Sequence, residues 1–319
     1  MEKKAADGMQ YYMPPPKIGK WEGFKKFIWN SESSQFLGRT GASWAKIILF
    51  YLIFYAALTG FFAAMLAVFY QTLNTKMPKW KLEESIIGSN PGLGFRPMPP
   101  ESNVESTLIW YKSSDSNNYK YWTEEIDRFL TVYKKADGNS NTNQNRIECN
   151  YNTPVPEGKV CDVNIENWTP CISSNHFNYQ KSGPCIFLKL NKIFDWQPSY
   201  YNDSINLPDN MPEDLKNHIK MTEMKNKAEM NTVWVSCEGE NPADLENIGK
   251  IEYLPRRGFP GYFFPFKNDE GYLSPIVAVL FKQPIMGVLV NIECKAWAKN
   301  IHHDRTERRG SVHFELMID

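Results

Sequence analysis

The stretch from Ile47 to Tyr70, IILFYLIFYAALTGFFAAMLAVFY, decides the fold class because it has no charged residue in 24 consecutive positions. The 319-residue chain as a whole is polar, with a mean hydropathy of -0.48. As a helix rising 1.5 Å per residue, this run is about 36 Å long and exceeds the roughly 30 Å hydrocarbon core of a bilayer. The alternative, a buried helix of a soluble domain, fits an uncharged run of this length poorly. We therefore predict one transmembrane helix at 47–70.

The flanks of the run indicate an uncleaved anchor whose N-terminus faces the cytoplasm. A signal peptide has an apolar region of roughly 7 to 15 residues close to the start of the chain. Here 46 residues precede a longer run, and we interpret them as a cytoplasmic tail at 1–46. The basic residues of this tail modestly outweigh those just after the run, as the positive-inside rule expects of a cytoplasmic segment.

The cysteines and the glycosylation sequons support the same orientation, because all of them follow the run. An even number of cysteines in one segment is typical of a domain that folds in an oxidising compartment. The two sequons are Asn167-Trp168-Thr169 and Asn202-Asp203-Ser204, with Asn167 and Asn202 as candidate glycosylation sites. These features together predict a type II membrane protein. The cysteines are Cys149, Cys161, Cys171, Cys185, Cys237 and Cys294.

Two stripes at helical spacing run along the predicted span and indicate helix packing inside the membrane. Small residues allow a second helix to approach closely, and tyrosine hydroxyls need hydrogen-bond partners in hydrocarbon. A plain anchor remains the alternative. One stripe is Tyr51, Tyr55, Leu58 and Phe62, and the other is Ala56, Gly60, Ala64 and Ala67.

The remaining segments suggest one further amphipathic helix on each side of the span. Before it, Trp21–Asn30 interleaves apolar and basic residues, so it either lies along the membrane surface or forms an ordered stub. After it, a membrane-proximal segment at 71–148 contains the Pro/Gly-rich extended stretch Ser89–Pro100. The same segment contains a predicted helix at Tyr119–Lys135, where apolar residues recur at helical spacing.

Residues 149–319 show the alternating pattern of short β-strands, so we predict a disulfide-bonded β-domain there. Cys237 and Cys294 each end an alternating strand with the thiol on the apolar face, which suits a bridge across a β-sandwich core. The other four cysteines allow three connectivities, and the sequence alone does not choose among them. The alternating positions are Val233, Val235 and Cys237; Met286, Val288, Val290, Ile292 and Cys294; and Val312, Phe314, Leu316 and Ile318.

The sequence contains none of the common catalytic, metal-binding or nucleic-acid-binding motifs. The 36 basic and 36 acidic residues balance, so no nucleic-acid partner is indicated. The phosphate-binding glycine loops, the G-x-S-x-G elbow and the H-E-x-x-H zinc helix are absent from the sequence, as is any Asp-x-Asp clamp. His302, His303 and Asp304 are adjacent, and adjacent side chains rarely converge on one ion. We predict no catalytic residue, no metal site and no cofactor.

An aromatic segment in the C-terminal half is the most unusual feature of the predicted β-domain. Phe259–Phe266 reads FPGYFFPF, and its Pro and Gly residues keep it out of a central strand. Its rings therefore either fill the core or form anchors of a protein interface. The sequence pattern leaves both interpretations open.

Several separated motifs resemble those of the β subunit family of Na,K-ATPase and H,K-ATPase, and they follow one another in the order found in that family. They cover most of the chain, and their joint occurrence is highly specific. The Asp-Lys-Thr-Gly-Thr signature of a pump's catalytic subunit is absent. The motifs are FLGRTGASW at 36–44, the pairs Phe50-Tyr51 and Phe54-Tyr55, PGLGFRP at 91–97, GPC at 183–185 with LKLNKI at 188–193, and IECKA at 292–296.

The resemblance implies a fold, a set of disulfides and a partner. The fold is a single transmembrane helix followed by a mainly-β, Ig-like sandwich with some helix. The disulfides are sequential, Cys149 with Cys161, Cys171 with Cys185 and Cys237 with Cys294. The partner is the catalytic α subunit of the pump. It is contacted in the membrane by Tyr51, Tyr55, Leu58, Phe62 and Gly60, and outside it by Phe259, Tyr262, Phe263, Phe264 and Phe266.

The resemblance also implies the function of a non-catalytic β subunit at the plasma membrane. Such a subunit assists the folding, membrane insertion and surface delivery of the α subunit, and it tunes potassium affinity and transport. Membrane lipid and a small single-span regulatory subunit are the further partners expected. Two alternatives from other classes are a type II ectoenzyme and a cell-adhesion module with an Ig-like ectodomain.

Overall fold

The computed structural model describes residues 19–103, 106–134, 145–304, 306–307 and 309–319. The first 18 residues of the predicted tail therefore lie outside the described residues, as do 135–144 of the predicted 71–148 segment. The chain divides into two compact units, Met1–Asn74 and Thr75–Asp319.

From residue 19 onward, where the structure describes the first unit, it contains two helices joined by three very short strands. Its elements are helix α1 (Lys20–Ile28), strands β1 (Trp29–Asn30), β2 (Gln35–Phe36) and β3 (Arg39–Thr40), and helix α2 (Gly41–Gln71). The strands form one antiparallel sheet in the order β1-β2-β3. The β2–β3 turn is Leu37-Gly38, with φ values of 50° and 73°, as a tight hairpin turn requires. Glycine at the second position accepts this conformation without steric cost.

Helix α2 is the predicted transmembrane helix, and its existence is confirmed. Among the described residues it is the one helix long and apolar enough to cross a membrane. Its 31 residues begin six positions before the predicted start at Ile47 and end one after Tyr70. The earlier start has a local cause, because Gly41 follows β3 directly and the indole of Trp44 donates a 2.8 Å hydrogen bond to the Phe36 carbonyl.

The described residues of the second unit are mainly β, with three α-helices. Its helices are α3 (Ser116–Leu130), α4 (Glu213–Lys225) and α5 (Pro242–Asn247). Its strands are β4 (Leu93–Arg96), β5 (Leu108–Tyr111), β6 (Arg146–Ile147), β7 (Val160–Cys161), β8 (Cys185–Leu190), β9 (Thr232–Gly239), β10 (Lys250–Leu254), β11 (Gly258–Pro260), β12 (Ile276–Lys282), β13 (Val290–Trp297) and β14 (Ser311–Ile318).

Two sheets form a sandwich, which confirms the predicted mainly-β fold, but β4 and β5 come from the predicted 71–148 segment, so the sandwich is not confined to 149–319. One sheet has the order β10-β12-β8-β4, and the other β11-β9-β13-β14-β5. All of these pairings are antiparallel except β14 with β5. Phe314 of the five-stranded sheet packs against Phe95 and Phe281 of the four-stranded sheet, with ring centroids 4.9 and 6.1 Å apart. The core therefore lies between the two inner faces.

The predicted alternation holds for β14 and only partly for the other two strands. In β14, Phe314, Leu316 and Ile318 are buried. The strand predicted from Met286 begins only at Val290, because Met286 lies in a turn and is 50% exposed. Strand β9 is buried on both faces, because α4 covers the outer one and packs Leu215 and Ile219 into a second cluster with Trp234.

The predicted helix at Tyr119–Lys135 is real but displaced toward the N-terminus. Helix α3 begins at Ser116, where the carboxylate of Asp115 accepts a hydrogen bond from the Asn117 amide and caps the first turn. A 3₁₀ turn, Thr131–Tyr133, follows Leu130. Lys135, the predicted end, lies outside the described residues.

The structure contains the three sequential disulfides that the resemblance implied: Cys149–Cys161, Cys171–Cys185 and Cys237–Cys294. The geometry predicted for the third was wrong, because it does not cross the sandwich. Cys237 and Cys294 lie directly opposite each other on β9 and β13, neighbouring strands of one sheet, with Cα atoms 4.0 Å apart. Alternation places both thiols on the core face, but it does not identify the partner strand.

The extended stretch Ser89–Pro100 is anchored to the sandwich by strand pairing and by side chains. Its strand β4 pairs with β8. Asn90 donates to the carbonyl of His302 at 2.8 Å and accepts from the His302 amide at 3.0 Å. The cause of the extended conformation is therefore edge pairing, which the Pro and Gly residues on either side of β4 permit.

Candidate functional site

The candidate site consists of two surfaces, one on each unit. The first is the side of α2 that carries the predicted tyrosine stripe. At 3.6 residues per turn, Tyr51, Tyr55, Leu58 and Phe62 lie within about 60° of one another around the helix axis. The rings of Tyr51 and Tyr55 stack with centroids 6.0 Å apart. This side is called the tyrosine face below.

The tyrosine hydroxyls are the polar atoms of this face. Neither the Tyr51 nor the Tyr55 hydroxyl has a hydrogen-bond partner within the described part of the chain, and both side chains are exposed. Phe50 and Phe54 stack beside them at 6.1 Å. In hydrocarbon such a hydroxyl gains from a partner on another helix, typically by about 0.6 kcal/mol.

Gly60 lies on the opposite side of α2. It is nine residues, or about two and a half turns, from Tyr51, so it faces away from the tyrosines. A Cβ atom at Gly60 would meet nothing within 4 Å. The small side chains of Ala56, Ala64 and Ala67 share this side, which is called the small-residue face below. One neighbouring helix does not reach both faces, so the predicted membrane contacts separate into two.

The second surface is the aromatic segment, whose residues divide between core and surface. Phe259 is 0% exposed and pairs with Val233 in the sheet, and Phe263 is 7% exposed. These two rings fill the core, so their side chains are not accessible for the α-subunit contact that the resemblance implied for them. Tyr262, Phe264 and Phe266 are half-buried and remain accessible.

The three accessible rings are held by neighbours that the sequence analysis did not identify. Tyr262 meets Tyr151 edge-on at 5.2 Å, and Phe264 meets Trp196 edge-on at 5.5 Å. The ring of Phe266 lies 4.9 Å from that of Tyr272. Tyr151 belongs to the first disulfide loop and is far from Tyr262 in the sequence, so the sequence alone does not indicate their contact.

Two cationic groups lie over rings of this region. The ammonium of Lys192 lies 5.0 Å from the ring centroid of Phe266, and the guanidinium of Arg256 lies 5.1 Å from that of Tyr151. Burial raises the pKa of the Tyr262 hydroxyl, with Arg256 opposing the shift. The Tyr262 hydroxyl is therefore protonated at neutral pH and able to donate a hydrogen bond.

In the aromatic segment, the backbone at Gly261 lies very close to the backbone at Asn231. Gly261 donates a 2.8 Å backbone hydrogen bond to Asn231, and a Cβ at this position would lie 2.6 Å from the same carbonyl oxygen. Only glycine fits this approach. Beside it lies a groove of about 740 Å³, bounded by the loop 150–161 and by Tyr262, Phe264 and Tyr272. The three accessible rings and this groove are called the aromatic surface below.

The sequons and the adjacent histidines occupy other places. Asn167 and Asn202 are both exposed, on loops of the second unit. His303 packs its ring 4.5 Å from Trp297, its Nε2 lies 2.8 Å from the Ala296 carbonyl, and burial lowers its pKa. Among the described residues, no group of three or more His, Cys, Asp or Glu side chains is arranged to hold a metal.

The comparisons with known proteins cover nearly the whole chain. The family model for the sodium/potassium ATPase beta chain matches residues 15–314. The sodium/potassium-transporting ATPase subunit beta-2 of Drosophila melanogaster is 55% identical over 314 residues, covering 98% of this chain and 97% of that protein. The chain belongs to the sodium/potassium ATPase β chain family.

Other relatives agree over the same length. Subunit beta-1 of Drosophila melanogaster is 39% identical over 321 residues, covering 100% of both chains. Human subunit beta-2 is 29% identical over 313 residues, covering 93% of this chain and 94% of that protein. As a member of this β chain family, the protein is a single-pass, non-catalytic accessory subunit of a cation pump, and the family associates with the catalytic α subunit.

Proposed function

We propose that this β chain assists the folding, membrane insertion and surface delivery of the catalytic α subunit, and that it modulates potassium affinity and transport. The observation that carries the proposal is the match to the family over nearly the whole chain, including the helix and the ectodomain. Both parts are needed, because the helix supplies a contact inside the membrane and the ectodomain supplies a contact outside it.

The proposed orientation is type II in the plasma membrane, with the N-terminus in the cytoplasm. All six cysteines lie in the second unit and all are paired, as expected of a domain in an oxidising compartment. Asn167 and Asn202 are exposed and so accessible to the glycosylation machinery of that compartment. Both asparagines are proposed glycosylation sites.

Within the membrane, the tyrosine face and the small-residue face are proposed contacts with two different helices of the α subunit. The tyrosine hydroxyls supply hydrogen bonds on one side, and Gly60 permits close backbone approach on the other. Membrane lipid surrounds the remaining circumference of α2. A small single-span regulatory subunit is proposed as a further partner of the assembled pump.

Outside the membrane, the aromatic surface is the proposed contact with the α subunit. A bound partner biases a conformational equilibrium only through contacts that differ between the states. Half-buried aromatic rings held by fixed neighbours are suited to such contacts, because aromatic anchors are common among the minority of interface residues whose truncation costs more than about 1 kcal/mol. The accessible rings Tyr262, Phe264 and Phe266 therefore carry the proposed effect on potassium handling.

Replacing Tyr262 and Phe264 together by alanine is expected to shift the potassium concentration for half-maximal ATP hydrolysis by up to about fivefold, which corresponds to roughly 1 kcal/mol of lost state-dependent contact. The complex should still assemble, because α2 is unchanged. The measurement is ATPase activity at graded potassium concentration, in membranes that carry the α subunit with either form of the β chain.

Two further variants decide how this result is interpreted. Met221 and Met224 are 61% and 79% exposed on α4, and their replacement by alanine removes apolar surface elsewhere and should change nothing. Replacing Tyr262 by phenylalanine keeps the ring and should retain most of the wild-type value. An unchanged potassium dependence in a folded, assembled Tyr262→Ala/Phe264→Ala complex would exclude the aromatic surface as the coupling contact.

A further inference from the structure

The short helix α1 presents an exposed apolar face that the proposed pump contacts do not use. Trp21, Phe24 and Ile28 follow one another at helical spacing and are 68%, 52% and 38% exposed. The rings of Trp21 and Phe24 stack at 6.0 Å, so they form one patch. Within the described residues of this unit, nothing covers the patch.

Basic side chains border this face. On a helical projection Lys20 and Lys25 lie on either side of the apolar stripe, and the ammonium of Lys25 lies 5.7 Å from the Trp21 ring. Lys26 lies on the opposite side and pairs with Glu32 at 3.0 Å. Residues 19–46 contain five basic and only two acidic side chains, so the segment has a net positive charge.

The three short strands hold α1 next to the start of the membrane-spanning helix. The Leu37 amide donates to the Ile28 carbonyl at 3.0 Å, which ties the hairpin to the end of α1. The indole of Trp44, in the first turns of α2, donates to the Phe36 carbonyl and packs on the Phe36 ring at 6.4 Å. Helix α1 is therefore joined to α2 by a folded connector instead of a free tether.

We infer that α1 is an interfacial helix that binds the anionic headgroups of the bilayer that α2 crosses. Apolar and aromatic residues on one face with lysines at its borders are the pattern of helices that lie in the membrane interface. Basic residues next to a span are attracted to the negatively charged cytoplasmic leaflet. The inference rests on the proposed type II topology, because that topology places α1 at this leaflet.

The test is hydrogen exchange of the full-length chain in nanodiscs of phosphatidylcholine alone or of phosphatidylcholine with phosphatidylserine. Exchange of the Phe24–Ile28 amides should be at least about fivefold slower in the anionic discs, because one lysine near an anionic surface contributes a factor of roughly five. Added salt should reduce the difference. Both disc types expose the same lipid on either side, so the result does not depend on orientation.

Three variants separate charge, apolar contact and nonspecific effects. Lys20→Gln/Lys25→Gln/Lys26→Gln should remove the difference between the discs, and Phe24→Ser should speed exchange in both. The matched charge control is Lys220→Gln/Lys225→Gln/Lys227→Gln, on exposed positions of the second unit, and it should behave as wild type.

Equal exchange of wild-type α1 in the two discs would overturn the inference, and it would leave pump association untouched. Protection that appears only when the α subunit is added would also overturn it, in favour of a protein surface. Conversely, a lipid-dependent difference in a chain that fails to bind the α subunit would support the inference and count against the proposed function. The two proposals therefore fail separately.

Discussion

Replacing Tyr51 and Tyr55 together by leucine is expected to lower recovery of the α subunit with the β chain by roughly tenfold. Two interhelical hydrogen bonds, worth about 0.6 kcal/mol each and up to about 1.7, are lost with the hydroxyls. Leucine keeps the hydropathy of α2, so membrane insertion and glycosylation should be unchanged. The measurement is mild-detergent co-purification, normalised to the glycosylated β chain.

Matched variants show which property of the tyrosine face matters. Tyr51→Phe/Tyr55→Phe removes only the hydroxyls and should reproduce most of the loss. Phe50→Leu/Phe54→Leu alters the neighbouring ring pair, which stacks at 6.1 Å, and should have a smaller effect. Gly60→Leu tests the small-residue face by blocking close approach. Full recovery with the double leucine variant would exclude the tyrosine face as a contact.

The second large effect is expected for Cys294→Ser, which should retain the protein in the endoplasmic reticulum. The disulfide closes a loop with a sequence separation of 57, and the loop-entropy model assigns about 4 kcal/mol to a loop of that length. Both cysteines lie in the core, where Cys294 is 0% exposed, so the substitution also leaves the Cys237 thiol buried and unpaired. Surface biotinylation and glycan maturation measure the retention.

The first disulfide provides the comparison. Cys149–Cys161 has a sequence separation of only 12 and lies beside the small β6–β7 pair, so its loss should cost less, about 3 kcal/mol. Cys149→Ser/Cys161→Ser should therefore reach the surface more efficiently than Cys237→Ser/Cys294→Ser. Normal surface delivery of the latter would contradict the stabilising role argued for the sheet disulfide.

The parts of the fold that follow from local pattern were predictable from the sequence. An uncharged apolar run that crosses a bilayer must satisfy its backbone hydrogen bonds within the segment, which requires a helix, and α2 is that helix. The pattern of β14 was also sufficient, because one face of this strand packs in the core and its apolar positions alternate. Pattern and structure agree wherever a single neighbouring surface decides which residues are buried.

The parts that depend on a distant neighbour were not predictable. Strand β9 is buried on both faces because α4, which the sequence analysis missed, covers the outer one. The signal for α4 was present in Pro212, the acidic Glu213 and Asp214, and Leu215 with Ile219 four positions later. Likewise, the identity of the strand opposite Cys237 depends on the order of the strands in the sheet, and the alternating pattern does not encode that order.

The aromatic segment shows the same limit at the candidate site. Composition alone left Phe259–Phe266 open between core and interface, and the structure divides it, with Phe259 and Phe263 in the core and the other three rings at the surface. Pairing of β11 with β9 turns Phe259 inward. The neighbours Tyr151 and Tyr272 come from other loops, so no periodicity in the segment indicates them.

Association of this β chain with a cation-pump catalytic subunit can be measured in a single experiment. The tagged chain is recovered from its native membranes in mild detergent and assayed for ouabain-sensitive, potassium-stimulated ATP hydrolysis. We expect this activity to accompany the chain and to be largely lost when Tyr51 and Tyr55 are replaced by leucine. A folded, glycosylated chain recovered without any such activity would contradict its association with a pump catalytic subunit.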